Sequence, residues 1–153
     1  MATFYATIYD AALSKMREYE FLDLDDIDVY AMLSPYLRNA EADFSRICEE
    51  SLSDLYMDSH DRAIGYAADL SQESIEILSL GVVCYWMTSY VADADKLRNA
   101  LGTKDYSVFS PANLLNSVRE TRDVFLLEYH DRMNRYSYLH GNLIRPQVGG
   151  ASA

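Results

Sequence analysis

Residues 71–91 read SQESIEILSLGVVCYWMTSYV, and the reading of this stretch decides the fold. Ser71 is a helix cap, and Glu73 and Glu76 follow where the positive end of a helix dipole favours acids. From Ile75 to Tyr90 apolar side chains occupy almost every direction around a helical wheel. A helix without a polar face has to be surrounded, so this one belongs in the middle of a helix bundle. Gly81 gives a neighbouring helix room for close approach. The uncharged run Ile77–Ala92 is 16 residues long and contains Ser79, Thr88 and Ser89. A membrane span needs roughly 20 predominantly apolar residues, so a buried core helix is the better reading.

Working toward the N-terminus, residues 51–70 are rich in Ser, Asp and turn formers, and they read as turns and loop. Before them, Val29, Leu33, Tyr36, Leu37, Ala40, Phe44 and Ile47 recur at helical spacing. Pro35 lies inside this pattern, which predicts either a kink or a tight restart at Ser34-Pro35. Asp25, Asp26 and Asp28 stand at its beginning, again at the positive end of the dipole. A first helix carries Tyr5, Ile8, Tyr9, Ala12, Leu13 and Met16, with Thr3 as its expected cap.

Working toward the C-terminus, Asp93 and Gly102 predict a short helix over Asp93–Leu101, followed by an extended link over Thr103–Phe109. Ser110-Pro111 is a strong helix start. From there Leu114, Leu115, Val118, Phe125, Tyr129, Met133 and Tyr136 hold helical phase to Leu139, a length of about 44 Å whose far end is expected to project. Arg119/Asp123, Glu128/Arg132 and Asp131/Arg135 are spaced to pair on its solvent face. Gly141 ends it. The expected architecture is all-α: a bundle of about five helices over residues 1–141, with an apolar central helix, a long C-terminal helix and an extended arm over 142–153.

The chain has 153 residues, 24 acidic and 13 basic, for a net charge of -11. The acids are concentrated early: residues 1–70 hold 15 acids against 5 bases, and after Asp131 only Arg132, Arg135 and Arg145 are charged. Such a balance disfavours general nucleic-acid binding, which depends on basic groups displacing counterions. Cys48 and Cys84 lack metal or disulfide spacing, and buried free thiols in a reducing compartment are expected. Met1–Met16 lacks the basic start and apolar run of a signal peptide.

No catalytic motif emerges, and no enzyme activity, cofactor or metal is expected. Ser59-His60-Asp61 places triad letters side by side, but adjacent residues cannot line up nucleophile, base and orienting acid. His130 has no second histidine four residues away, so the helical zinc motif is missing. An acidic run counted from Asp23 fails as a calcium loop, with Asp28 where glycine is needed and Ser34 where glutamate is needed. The unusual feature is aromatic: 13 tyrosines beside five phenylalanines. Tyrosine combines contact area with a polar tip and is enriched at interfaces, so Tyr136 and Tyr138, near the arm, read either as packing residues or as an assembly contact.

Three stretches together carry a resemblance: Asp69-Leu-Ser-Gln-Glu-Ser-Ile-Glu-Ile-Leu78 leading to Trp86, Thr103-Lys-Asp-Tyr-Ser-Val-Phe-Ser-Pro-Ala-Asn-Leu-Leu115, and Arg135-Tyr-Ser-Tyr-Leu-His-Gly141. Their order and spacing resemble the head-to-tail connector, or neck adaptor, proteins of tailed bacteriophages, from about Met1 to Asn142. The motifs are helix starts and packing residues. Neighbouring neck components, such as stopper and head-completion proteins, fall within the same resemblance. It implies a virion protein made in the host cytoplasm and forming a ring of about twelve copies beneath the portal. That ring would join head to tail, extend the DNA channel without specific DNA binding, and meet the next neck or tail-completion protein. Partners are then the portal protein and neighbouring copies, with no membrane. Candidate partner-binding residues are Tyr136, Tyr138, Leu143, Ile144, Arg145, Pro146 and Val148. Asp23, Asp25, Asp26 and Asp28 are candidate channel-facing acids. The alternative from another class is a soluble acidic regulator, or DNA mimic, that binds a basic partner.

Overall fold

The computed structural model describes residues 1–16, 26–109 and 112–140. It is mostly helical, with four helices and a small sheet: β1 (Thr3–Phe4), α1 (Tyr5–Lys15), α2 (Asp26–Phe44), β2 (Leu55–Met57), β3 (Ala63–Tyr66), α3 (Gln72–Phe109) and α4 (Ala112–His140). The expected central helix is α3. Ser71 caps it as anticipated, its Oγ accepting from the Ser74 N–H at 3.2 Å. Ile77, Leu78, Leu80, Val82, Val83 and Met87 are buried, surrounded by α1, α2 and α4. The stretch Gln72–Asp93 has the length and apolar composition of a membrane span, and here that composition serves the core.

At Gly81 three helices approach one another closely. A β-carbon added there would lie 2.5 Å from Ala40 Cβ of α2 and 2.9 Å from the Tyr129 hydroxyl of α4. Helix α2 runs unbroken through Pro35, which settles the choice between kink and restart in favour of one helix. Pro35 is exposed while Val29, Leu33, Leu37, Ala40 and Phe44 are buried, so the missing donor falls on the outer face.

Three expectations are corrected. The short helix Asp93–Leu101 and the extended link Thr103–Phe109 do not exist as separate pieces, because α3 continues as one helix of 38 residues to Phe109. Gly102 costs a helix about 1 kcal/mol relative to alanine but leaves its hydrogen bonds intact, so it weakens without terminating. The fold is therefore not a five-helix bundle. Residues 51–70 are also not plain loop. They hold β2 and β3, which join β1 in an antiparallel sheet of order β1-β3-β2. Thr3 does not cap α1, whose N-cap is Phe4 without a side-chain bond. Thr3 instead pairs with Tyr66 in the sheet, and its Oγ accepts from the buried Leu70 N–H at 2.9 Å. The Ser110-Pro111 start, the Gly141 stop and the arm over 142–153 lie outside the described residues.

The sheet is built around Gly65. Phe4 and Tyr56 oppose it from the two flanking strands, and their rings meet edge-on at 5.7 Å. A β-carbon on Gly65 would come within 2.4 Å of the Thr3 carbonyl oxygen, so the three strands close only around glycine. The connection between β2 and β3 is held by Asp58, which accepts from the N–H groups of His60 and Arg62 and from the Arg62 side chain. Asp61 takes the left-handed conformation there, at φ 56°. Ser59, His60 and Asp61 are thus hairpin-turn residues.

Candidate functional site

The end of α4 is fixed by a polar cluster centred on Glu50, which follows α2. Its carboxylate accepts from the Ser71 N–H at 2.8 Å, the Ser74 hydroxyl at 3.2 Å, the Tyr136 hydroxyl at 3.1 Å and the Cys48 thiol at 3.3 Å. Burial works against ionisation of Glu50. The donors overcome it, led by the Ser71 N–H, and hold the carboxyl at about 2. One side chain thereby ties together the loop after α2, the start of α3 and the end of α4.

Tyr136 is the α4 partner in this cluster. It is buried, accepts from the Glu49 N–H at 3.0 Å, and packs edge-on against Phe44. The next turn places His140 over its ring at 3.9 Å. His140 Nδ1 lies 3.0 Å from Glu49 and Nε2 lies 3.5 Å from Glu73. Slight desolvation lowers the tendency of His140 to hold a proton, but the hydrogen bonds and charges of Glu49 and Glu73 outweigh it and raise its pKa.

The same chemistry recurs through the molecule. Tyr30 donates to Asp10, Tyr66 to Glu41, and Tyr85 and Tyr129 both donate to Asp43. With nearly twice as many acids as bases, the chain satisfies carboxylates with neutral phenols where cations are lacking. Burial, reinforced by the neighbouring carboxylate, pushes the Tyr66, Tyr85 and Tyr129 phenols up, Tyr85 to about 12. Ion pairs also occur: Lys15 of α1 meets Glu76 of α3 at 2.8 Å, Arg62 holds Asp58 in the hairpin turn, and others lie along α4. Arg132 pairs with Glu128 and Arg135 with Asp131 as anticipated, and Asp123 pairs with the adjacent Arg122.

The predicted partner-binding residues separate accordingly. Tyr136 is part of the core, and its bonds to Glu49 and Glu50 anchor the α4 end, which was expected to project. Tyr138 is 72% exposed, beside Leu139 at 66%. Leu143, Ile144, Arg145, Pro146 and Val148 lie outside the described residues. So do Asp23 and Asp25. Asp26 and Asp28 fall in the first turn of α2, with their side chains outside the description.

Two apolar surfaces were missed by the sequence reading. Val124 and Leu127 are exposed on α4, on the same side as Tyr138. At the sheet, Phe4, Leu55, Tyr56 and Met57 are each 40–45% exposed. The signal for the second was present: two short apolar runs, Leu55–Met57 and Ala63–Tyr66, separated by five turn-forming residues. A recess lined by Tyr5, Tyr9, Ser34 and Glu41 holds about 10 Å³, room for one water and too little for a small molecule.

No protein-family model, no curated protein and no solved structure matches the chain. Among the described residues no group of acids, histidines and cysteines has the arrangement of a metal site. The two thiols are free, and burial pushes Cys48 up to about 11 and Cys84 to about 12, with Glu50 and Glu128 adding to the respective effects. Thiols held this firmly protonated are poor nucleophiles and poor metal ligands.

Proposed function

We propose that this chain is a structural protein of a tailed-phage virion: a neck adaptor, without enzymatic activity, that assembles as a ring beneath the portal, joins head to tail and extends the DNA channel. The resemblance in the three quoted stretches motivates the reading. Two of them fall on elements that organise the fold, the capped start of α3 and the anchored end of α4. The observation that supports it most is the contrast at that end. Tyr136 and His140 are fixed to Glu50, Glu49 and Glu73, while Tyr138 and Leu139 face outward immediately before a partly apolar, basic segment. A rigid helix end with exposed apolar groups and a following arm suits attachment to a larger assembly.

The acids Asp23, Asp25, Asp26 and Asp28 would line or rim the channel, where like charge keeps DNA from adhering during passage. Reversing all four to lysine then slows DNA ejection, and unchanged ejection kinetics would remove that role. The reading as a whole is tested by mixing the purified chain with portal rings encoded by the same genome and weighing the product by native mass spectrometry. Binding of a full ring of copies per portal is expected. A monomer that ignores the portal but binds basic proteins, with affinity falling steeply in salt, would instead favour the acidic regulator.

A further inference from the structure

Strand β2 is an edge. It pairs with β3 on one side, and among the described residues no strand pairs with its other side. Its three residues, Leu55, Tyr56 and Met57, are all apolar or aromatic and all exposed, and Phe4 extends the same patch through its contact with Tyr56. Proteins ordinarily guard such an edge with charge, proline, a bulge, a short strand or a covering element, since its open backbone groups accept a further strand. Strand β2 is short and its register shifts at Tyr56/Met57, but its side chains are uncharged and exposed. Here the acids stand beside the strand rather than in it. Asp54 precedes it and Asp58 and Asp61 follow, with Arg62 engaged by Asp58.

The segment after His140 has the complementary chemistry. Its 13 residues carry Leu143, Ile144 and Val148, and their one charged side chain is Arg145. Pro146 is tolerated by a β-strand only at an edge, which is the position a docked strand takes. Fully extended, the six residues Leu143–Val148 span roughly 20 Å, enough to lie along a strand, and Gly141 and Asn142 carry them roughly 10 Å from the anchored α4 end. A contact between the arm of one copy and the sheet edge of the next is head-to-tail, the kind that closes into rings, whereas edge-to-edge pairing of two β2 strands stops at a dimer.

We propose that the exposed β2 edge, with Phe4, Leu55, Tyr56 and Met57, receives the segment Leu143–Val148 of a neighbouring copy as an added strand, with Arg145 set against the exposed Asp54. This rests on the ring reading above and names the contact between its subunits.

The test uses two full-length variants, Met57→Cys and Ile144→Cys, mixed at high concentration and, separately, on portal rings, then oxidised mildly. A covalent dimer that needs both variants is expected, with yield falling several-fold when Arg145→Glu is added to the Ile144→Cys chain. A cross-link that forms only inside the double variant Met57→Cys/Ile144→Cys, as a monomer, would show that the arm covers its own edge and would overturn the proposal. So would a ring assembled on the portal without any cross-link, and that result leaves the adaptor reading standing. A cross-linked oligomer that does not bind the portal would keep the edge contact and remove the adaptor reading. Absence of both removes both.

Discussion

Gly81 of α3 faces Ala40 of α2 so closely that a β-carbon on the glycine would sit 2.5 Å from the alanine β-carbon. Neither group can rotate away, so the spacing of the two helices depends on the missing atom. Gly81→Ala gains about 1 kcal/mol of helix propensity. The forced separation costs about 1–3 kcal/mol, because interiors packed this tightly resist added volume. A net destabilisation is expected by urea denaturation, larger for Gly81→Val. Adding Ala40→Gly to Gly81→Ala should recover part of the loss, giving a favourable coupling of about 0.5 kcal/mol or more. Stabilisation by Gly81→Ala would mean the helices are not in contact there.

Glu50 predicts an acid-sensitive clamp. Its carboxyl titrates near 4.5 when unfolded and about 2 in the fold. A lowered folded pKa contributes stability that is present above the unfolded value and is lost as pH falls from about 4.5 toward 2. The urea midpoint should fall across that window in the native chain, and fall less in Glu50→Gln, which is already weaker at neutral pH. Equal slopes in the two proteins would show that Glu50 is not the acceptor described.

His140 carries the opposite sign. Its folded pKa is raised above 6.5 by Glu49 and Glu73. The stability it contributes is therefore complete below about 6.5 and is lost as pH rises through the folded value. An NMR titration should show an elevated His140 pKa that returns toward 6.5 in Glu49→Gln/Glu73→Gln. Amide exchange over the last turn of α4, corrected for its intrinsic pH dependence, should accelerate on the alkaline side. A normal His140 pKa in the native chain would contradict the geometry.

The thiols should be slow. With pKa values of about 11 and 12, Cys48 and Cys84 hold very little thiolate at pH 8. Modification by a disulfide reagent should run at least about 100-fold slower in the native chain than in urea. Cys48, half-buried, should react before Cys84. Rapid native labelling of Cys84 would place it outside the core.

The helical part of the fold was legible because it depends on local patterns: the all-round apolar face of α3, the Ser71 cap, and the unbroken phase across Pro35. The sheet was harder to read because it is non-local. Nothing near Thr3 announces a partner 63 residues away in Tyr66, and the one local cue, two short apolar runs flanking residues 58–62, lacks the alternation that marks longer strands. Gly102 misled because a glycine is a stop only where the chain is otherwise ready to turn. At the site, the excess of acids and the excess of tyrosines are both plain in the composition, yet they read as separate features. Their pairing, phenol to carboxylate, exists only after the helices and the sheet have packed, as when Tyr136 of α4 reaches Glu50 beyond α2.

The proposed ring at a head-tail junction calls for quantitative mass spectrometry of purified tailed particles produced from the genome that carries this chain's gene. The quantity is the number of its copies relative to portal subunits. A ratio near one is expected in tailed particles. Absence of the chain from the particle would contradict it.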